Sequence, residues 1–230
     1  MSHPGGIDVC GRFTLRSNPT VLAAEFEMEA FPLLSPRYNI APMQPILAVR
    51  RDPDSSRRIA ALFKWGLVPS WADDPKIGNR MINARSETAA EKPSFRAAFR
   101  RRRCLVPSDG YYEWKKDGSA KQPYLIYQAD GRPFAIAGLW EIWTAPDGSV
   151  LETCSLLTTS ANVTLASLHD RMPVIIAPAD RSEWLDPATP SPALQSLMRP
   201  APEDLMTFHR VSTRVNSPLH EEAACIDPLL

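Results

Sequence analysis

Residues 124–158 have the sequence YLIYQADGRPFAIAGLWEIWTAPDGSVLETCSLLT. They contain three segments that are rich in β-branched and aromatic residues, and the pairs Asp130-Gly131 and Asp147-Gly148 separate these segments. An Asp-Gly pair between two such segments is typical of a β-hairpin turn. We therefore predict two hairpins that join strands at 124–128, 134–143 and 150–158.

Shorter segments with similar patterns flank this region on both sides. We predict further strands at 44–49, 59–68, 104–107, 110–115, 172–177 and 206–211. Short helices are predicted after Asn18-Pro19, at 94–100 with Ser94 as the cap, and at 162–168, 181–185 and 193–198. The tail from Ser212 shows no regular pattern. The expected fold is a single α+β domain with a largely antiparallel, barrel-like β-sheet and short flanking helices.

The composition is that of a globular protein with many rigid turns. Of 230 residues, 44% are hydrophobic and 23% are charged, and 23 Pro stand against 10 Gly. This excess of proline argues against a bundle of long helices. No pair of cysteines has the spacing of zinc ligands, so we expect neither a metal nor a cofactor; the four are Cys10, Cys104, Cys154 and Cys225.

The sequence contains no recognisable membrane or secretory segment. No apolar run reaches the roughly 18 residues that a membrane span requires. Residues 1–9 lack the apolar core of a signal peptide. We therefore expect a cytoplasmic monomer with reduced thiols and no membrane partner.

Basic residues are concentrated in one region, although the formal net charge is zero. Residues 80–121 contain eleven Lys and Arg against five Asp and Glu, whereas residues 180–230 contain four against eight. Such asymmetry can present one basic face to nucleic acid, but it also fits ordinary solvated surface charges. The same two interpretations apply to the four arginines at 100–103.

Four short segments combine residue types that can carry chemistry. They are CGRF at 10–13, NARSET at 83–88, GYYEW at 110–114 and HDRMP at 169–173. Each has an ordinary explanation when taken alone, because a single Cys is usually a small buried hydrophobe. A single His beside Asp and Arg is likewise more often structural than catalytic. Their occurrence together and in this order is specific.

Together these segments resemble the SOS response-associated peptidase (SRAP) family, also called abasic site processing proteins. The resemblance runs from Cys10 to Cys225-Ile226. It includes YNIAP at 38–42, KWGLVPSW at 64–71, KQPY at 121–124 and TTSAN at 158–162. It implies that residues 10–230 form one SRAP domain and that residues 1–9 are an N-terminal extension.

The resemblance also implies a function in the response to DNA damage. Members of the family sense abasic sites in single-stranded DNA, and replication-fork proteins are further candidate partners. The amine and thiol of an N-terminal Cys close a thiazolidine ring with the sugar aldehyde, which leaves a covalent DNA–protein cross-link. The family's catalytic residues match Cys10, Asn83, Glu113 and His169. The residues that would line the DNA site match Arg12, Asn39, Pro42, Trp71, Arg85, Thr158 and Arg171.

Elementary chemistry supports the catalytic roles independently. A free α-amine has a pKa of about 7.7–8, so it is mostly protonated at neutral pH and needs a base before it can attack an aldehyde. Glu113 lies between aromatic residues, where burial could raise its pKa and let it act first as base and then as acid. Asn83 could hold the amine by a hydrogen bond, and His169 could move protons at the sugar hydroxyl.

The DNA contacts can also be argued from residue type. Arg12 and Arg85 can bind phosphate through two parallel hydrogen bonds. Trp71 can stack on a base without regard to sequence. Ala72 follows Trp71, where many members of the family have a second aromatic residue. The sequence therefore leaves open how Trp71 would wedge beside a base at the lesion.

Two other functions remain open at this point. Cys10, His169 and either Asn83 or Glu113 contain the parts of a thiol peptidase or other hydrolase. A non-catalytic module for single-stranded DNA is the second alternative. It would bind intact and abasic strands alike and leave no covalent product.

The position of Cys10 in the mature chain discriminates between these chemistries. Removal of Met1 would expose Ser2 and leave the nitrogen of Cys10 in a peptide bond, which has no basic lone pair. Either Val9 is the true start, encoded by a GUG codon that is translated as Met, or residues 1–9 are cleaved. We favour the start-codon explanation and expect Cys10 to be N-terminal in the working form.

Overall fold

The computed structural model describes residues 10–118 and 120–229, which contain thirteen strands, six short α-helices and four 3₁₀ segments. The strands are β1 (Phe13–Leu15), β2 (Arg37–Ile40), β3 (Pro45–Arg51), β4 (Arg58–Trp65), β5 (Asn83–Arg85), β6 (Arg103–Ser108), β7 (Gly110–Asp117), β8 (Ala120–Gln128), β9 (Phe134–Thr144), β10 (Val150–Ser160), β11 (Arg171–Pro173), β12 (Ile175–Ile176) and β13 (Met206–Arg210). The helices are α1 (Pro19–Glu25), α2 (Ser86–Ala89), α3 (Arg96–Arg101), α4 (Val163–Ala166), α5 (Arg181–Leu185) and α6 (Ser191–Leu197). None of these helices is long and apolar enough to cross a membrane.

Five strands close into a barrel in the order β3, β4, β10, β9, β6 and back to β3. Within it only β4 and β10 run parallel, and the other neighbours are antiparallel. The long strands β9 and β10 form the hairpin predicted around Asp147-Gly148, with Thr144 opposite Val150. The prediction of a single α+β domain with a barrel-like sheet is confirmed.

A second, antiparallel sheet carries the first of the predicted site residues. Its strand order is β13, β8, β7, β1 and β2. Strand β1 lies in the interior of this sheet, with Phe13 opposite both Tyr111 of β7 and Ile40 of β2. Cys10, which precedes β1, therefore lies close to Glu113, two residues beyond Tyr111.

Two three-residue strands extend β10 beyond the barrel and bring the other predicted site residues to it. Strand β5 runs parallel to β10, which sets Asn83 opposite Leu156 and Arg85 opposite Thr158. Strand β11 runs antiparallel along the other edge of β10 and sets Pro173 opposite Thr158. The end of β10 thus gathers segments that are more than 80 residues apart in sequence.

The predicted hairpin at Asp130-Gly131 is wrong. Strand β8 has β7 on one edge and β13 on the other, so neither edge is free for β9. The Asp-Gly pair forms a turn, and the chain then passes from the second sheet to the barrel.

Other differences are local. The strand predicted to reach Val68 ends at Trp65, because Gly66 adopts a φ of 130° that other residues rarely tolerate. The strand predicted at 172–177 is split into β11 and β12, which pair with different neighbours. Phe95, not Ser94, precedes α3. The tail predicted to be irregular contains short 3₁₀ segments at Thr213–Asn216 and Ala223–Cys225.

Candidate active site

Cys10 and Glu113 form the centre of the candidate site. The backbone nitrogen of Cys10 donates a hydrogen bond to Glu113 Oε1 over 2.7 Å. Cys10 has a φ of 53°, in the left-handed region that residues other than glycine seldom adopt. Both residues are buried, with 0% of Cys10 and 1% of Glu113 exposed. The chain thus holds the one nitrogen required by the predicted chemistry against a carboxyl group.

Burial shifts the titration of both groups. It raises the pKa of Glu113 from 4.5 to about 7, although hydrogen bonds from the backbone of Cys10 and Trp114 oppose the shift. The negative charge of Asp170 raises it slightly further. A carboxyl group with this pKa can both accept and return a proton near neutral pH.

The Cys10 thiol has the opposite character from an activated nucleophile. Burial, together with the charge of Glu113, raises the pKa of the thiol well above 9. The thiol therefore remains protonated near neutral pH, whereas a thiol peptidase needs a ready thiolate. This environment favours chemistry in which the nitrogen of Cys10 reacts first.

His169 lies at the start of the HDRMP segment and is mostly buried, with 17% of its side chain exposed. Its Nδ1 accepts a hydrogen bond from the backbone N–H of Arg171 over 3.0 Å. The same Nδ1 is 2.8 Å from Asp170 Oδ1. In the neutral ring, the contact with Arg171 leaves the proton on Nε2; in the protonated ring, Nδ1–H can donate to Asp170 instead. Both protonation states of His169 therefore have a partner.

Arg171 and Thr158 are joined by hydrogen bonds at the end of β10. Arg171 Nη2 donates to the backbone oxygen of Thr158 over 2.7 Å and to its Oγ1 over 3.2 Å. The Arg171 guanidinium also forms an ion pair with Glu87, which lowers the pKa of that carboxyl. Since Glu87 already occupies Arg171, a phosphate at this position would have to compete with a carboxylate.

The half-buried Arg12 and the buried Asn39 both bind backbone oxygens near the C-terminal end of the chain, at residues 215–220. Arg12 Nη1 donates to Asn39 Oδ1 over 2.9 Å and to the backbone oxygen of Val215 over 2.7 Å. Asn39 is fully buried, and its Nδ2 donates to the backbone oxygens of Val215, Ser217 and His220. The side chain of Asn39 is therefore buried and paired in this structure, so a direct contact with DNA would require these hydrogen bonds to open.

The remaining predicted DNA contacts are more accessible. Arg85 is exposed on β5, and Trp71 is 58% exposed beside a cavity of about 460 Å³ that Lys76 and Arg80 also line. Pro42 is half-buried. These positions can meet a ligand without rearrangement of the chain.

The run of four arginines divides between structure and surface. Arg103 is buried, and its guanidinium donates to several backbone oxygens, including that of Trp184 over 2.6 Å. Arg102 pairs with the buried Glu141 at 2.5 Å. Arg100 and Arg101 are exposed. Of the four, Arg100 and Arg101 are therefore the ones exposed enough to contact phosphates.

Three residues at this site were not among the predicted ones. They are Glu87, Tyr111 and Asp170. All three lie within the four segments that carried the prediction, but residue type alone did not single them out. The alternation of side chains along GYYEW would have placed Tyr111 on the same face as Glu113.

Among the described residues, no group of three or more His, Cys, Asp and Glu side chains is arranged to hold a metal ion.

Comparisons with known proteins agree with this architecture. A crystal structure of a protein from Bacteroides thetaiotaomicron superposes with a TM-score of 0.86, at 27% identity, over 96% of this chain and 100% of that one. A second crystal structure, of a protein from Bordetella bronchiseptica, gives a TM-score of 0.77 at 26% identity over 88% of this chain and 100% of that one.

Sequence comparisons give the relationship directly. The abasic site processing protein YoqW of Bacillus subtilis is 43% identical over 224 residues, which cover 95% of this chain and 99% of that protein. The abasic site processing protein HMCES of Gallus gallus is 36% identical over 225 residues, which cover 84% of this chain and 66% of that protein. The sequence profile described as SOS response associated peptidase (SRAP) matches residues 9–218. The chain therefore belongs to the SOS response associated peptidase family.

Proposed function

We propose that this protein is an abasic site processing protein that captures abasic sites in single-stranded DNA covalently, through the amine and thiol of Cys10. The observation that carries the proposal is the 2.7 Å contact between the Cys10 nitrogen and Glu113, whose pKa is raised to about 7. The family relationship and the names of the relatives support DNA with abasic sites as the substrate. A monomeric state and a cytoplasmic location belong to the same proposal.

The reaction begins at the nitrogen. Glu113 takes a proton from the Cys10 ammonium, and the amine attacks C1 of the ring-opened sugar. The carbonyl oxygen takes a proton from the attacking nitrogen and leaves as water with a second proton from Glu113, so a protonated imine remains. The sulfur then bonds to C1, the thiol proton passes to nitrogen, and the five-membered ring is closed. One water is released overall.

His169 and Asn83 assist this sequence. His169 can give or take the proton of the sugar hydroxyl as the ring opens, because both of its protonation states find a partner at Nδ1. Asn83 comes from β5, the strand that also carries the exposed Arg85. Arg85 and Trp71 are the proposed DNA contacts. Arg12 and Asn39 support the site indirectly, because they bind the C-terminal part of the chain to the sheet that carries Glu113.

This chemistry requires a free Cys10 amine. In the structure the Cys10 nitrogen is a peptide N–H that donates to Glu113. The predicted extension, residues 1–9, lies outside the described residues. We include in the proposal that Cys10 becomes N-terminal, by initiation at Val9 or by cleavage. In that form the ammonium and Glu113 would lie within hydrogen-bond reach and titrate as a pair.

A gel experiment tests the proposal. Protein whose N-terminal residue is verified as Cys10 is incubated with single-stranded DNA that carries one abasic site, then denatured and separated. We expect a shifted, heat-stable band that is absent with intact DNA. Cys10→Ala should abolish it, and Cys10→Ser should leave at most an adduct that borohydride must trap, since no sulfur can close the ring. A heat-stable adduct of Cys10→Ala at wild-type yield would exclude the thiazolidine.

Self-processing is a second candidate activity, favoured by the same contact. Cleavage after Val9 would add water to the Val9 carbonyl and release the Cys10 nitrogen as an amine, and Glu113 would supply the proton to that nitrogen across the 2.7 Å contact. Protein translated from Met1 and then incubated should lose the mass of residues 1–9, and Glu113→Gln should retain it. Retention of that mass by both proteins would exclude self-processing and leave the start at Val9 as the source of the amine.

A further inference from the structure

Strand β7 divides its side chains between two sides of the second sheet. Tyr111 and Glu113 point to the side that packs with Cys10, and both are buried. Tyr112 points to the opposite side, where it packs with Leu125 and Val215. Tyr111 is therefore the buried neighbour of Glu113 on the reacting face of the strand, since Lys115, two residues beyond Glu113, is exposed.

Two polar atoms on this face have no hydrogen-bond partner among the residues that the structure describes. They are the Tyr111 hydroxyl and Glu113 Oε2, both in side chains that are 0–1% exposed. Buried polar atoms are nearly always paired, so an unpaired pair beside a nucleophile indicates a place for a group from outside the chain. The Tyr111 hydroxyl can donate a hydrogen bond, and Glu113 Oε2 can accept one or, when protonated, donate one.

The protonation state of Tyr111 fits the role of a donor. Burial, with smaller contributions from Cys10 and Glu113, raises the pKa of its hydroxyl well above 10. The hydroxyl therefore keeps its proton throughout the pH range in which Glu113 changes charge.

We propose that the Tyr111 hydroxyl donates a hydrogen bond to the oxygen on C1 of the abasic sugar and helps to hold it while it leaves. This role rests on the proposed function. When the Cys10 amine has added to the aldehyde, C1 carries a hydroxyl group that is both donor and acceptor. It accepts from Tyr111 and contacts Glu113 Oε2, which satisfies both unpaired atoms. Glu113 supplies the proton, the C–O bond breaks, water departs, and Tyr111 loses no proton.

The test uses Tyr111→Phe, with Tyr112→Phe as the matched control on the next residue. Tyr112 donates its hydroxyl proton to the backbone oxygen of Tyr38 over 2.6 Å, so its hydroxyl is structural. Both variants and the wild type are compared as proteins with a verified N-terminal Cys10. The measurements are the rate of borohydride-trapped imine with abasic single-stranded DNA, the affinity for intact DNA, and the Tm.

For Tyr111→Phe we expect imine formation to slow about tenfold, since one hydrogen bond made only to reacting intermediates is lost. Affinity for intact DNA should not change, and the Tm should stay the same or rise, because an unpaired buried hydroxyl is removed. Tyr112→Phe should lower the Tm by about 2–4 °C and leave the imine rate unchanged.

The outcomes separate this inference from the proposed function. An adduct with wild type and an unchanged rate for Tyr111→Phe would overturn the role of Tyr111 alone. If Tyr111→Phe lowers both the Tm and the rate, the hydroxyl stabilises the fold. That result would also overturn the proposed role of Tyr111. Absence of any adduct with wild type would overturn the proposed function, and the role of Tyr111 with it.

Discussion

The contact between Cys10 and Glu113 joins residues that are 103 positions apart. The reactivity of neither residue follows from its type alone. Glu113 becomes an acid–base group because burial raises its pKa, and the nitrogen of Cys10 becomes relevant because the backbone turns it toward that carboxyl. No spacing in the sequence encodes this distance, so at the level of sequence only the resemblance to a family associates the two residues.

Glu113→Gln should slow covalent capture by about 10²–10⁴-fold, the usual contribution of a general acid–base group. Gln keeps an oxygen that can accept from the Cys10 nitrogen, so the geometry is preserved while proton transfer is lost. The check is the single-turnover rate of adduct formation, with affinity for intact DNA as the control. Unchanged kinetics would remove Glu113 from the mechanism.

The raised pKa of Glu113 also makes stability depend on pH. The folded chain holds the proton more tightly than the unfolded chain, so ionisation destabilises the fold as pH rises from about 4.5 to about 7. In protein that retains the residues before Cys10, Glu113→Gln should be more stable than wild type at pH 8, by up to about 3 kcal/mol. The difference should vanish at pH 4. Urea denaturation at both pH values measures it, and a difference independent of pH would contradict the raised pKa.

A C-terminal segment, residues 212–226, is hydrogen-bonded to β2, to β7 and to the residue that precedes β1. Asn39 and Arg12 bind its backbone oxygens, and Trp114 Nε1 donates to Asn216 Oδ1 over 2.7 Å. These contacts lie on the face of the sheet opposite to Tyr111 and Glu113. The segment therefore supports the strands that carry the site.

Asn39→Ala should destabilise the fold by about 2–4 kcal/mol, because buried carbonyl groups and Arg12 lose their partner at once. Urea denaturation measures this loss, and Gln195→Ala on the exposed face of α6 is the control that should change little. Reduced DNA affinity with unchanged stability would instead show that Asn39 meets DNA directly, as the resemblance implied.

Elements were predictable where their sequence signal was long and local. Strands β9 and β10 have eleven residues each, with dense aromatic and β-branched content and an Asp-Gly turn between them. Strands β1 and β5 have three residues each and depend on long-range pairing, so no local pattern indicates them. The Asp130-Gly131 turn led to the wrong prediction of a β8–β9 hairpin for the same reason. The partners of β8 are β7 and β13, and the pairing with β13 is not indicated by any local pattern.

At the scale of the whole molecule, the basic residues of the region 80–121 do not act as one surface. Arg102 and Arg103 are used inside the fold, whereas Arg85, Arg100 and Arg101 are exposed. The count of charges along the sequence predicted an excess but could not say which charges reach solvent. The basic face available to DNA is therefore smaller than the sequence indicated.

Arg85→Ala should weaken binding to single-stranded DNA and reduce the slope of log affinity against log salt by about 0.7, because each phosphate contact on a single strand releases counterions. Arg199→Ala removes another exposed arginine, in the acidic C-terminal region, and should have little effect. Titrations at several salt concentrations make the comparison. Equal effects from both variants would mean that Arg85 does not lie in the DNA groove.

The proposed chemistry depends on the residue at which the working chain begins. With Val9 attached, the Cys10 nitrogen can only donate, as it does to Glu113, and it has no lone pair for an aldehyde. Protein made from the native gene should therefore have the intact mass of a chain whose first residue is Cys10, whether translation starts at Val9 or residues 1–9 are removed. The same preparation is then tested for adducts with abasic DNA. Protein that keeps Ser2 to Val9 and still cross-links through Cys10 would refute the amine mechanism, because a peptide nitrogen would then have done what only a free amine can do.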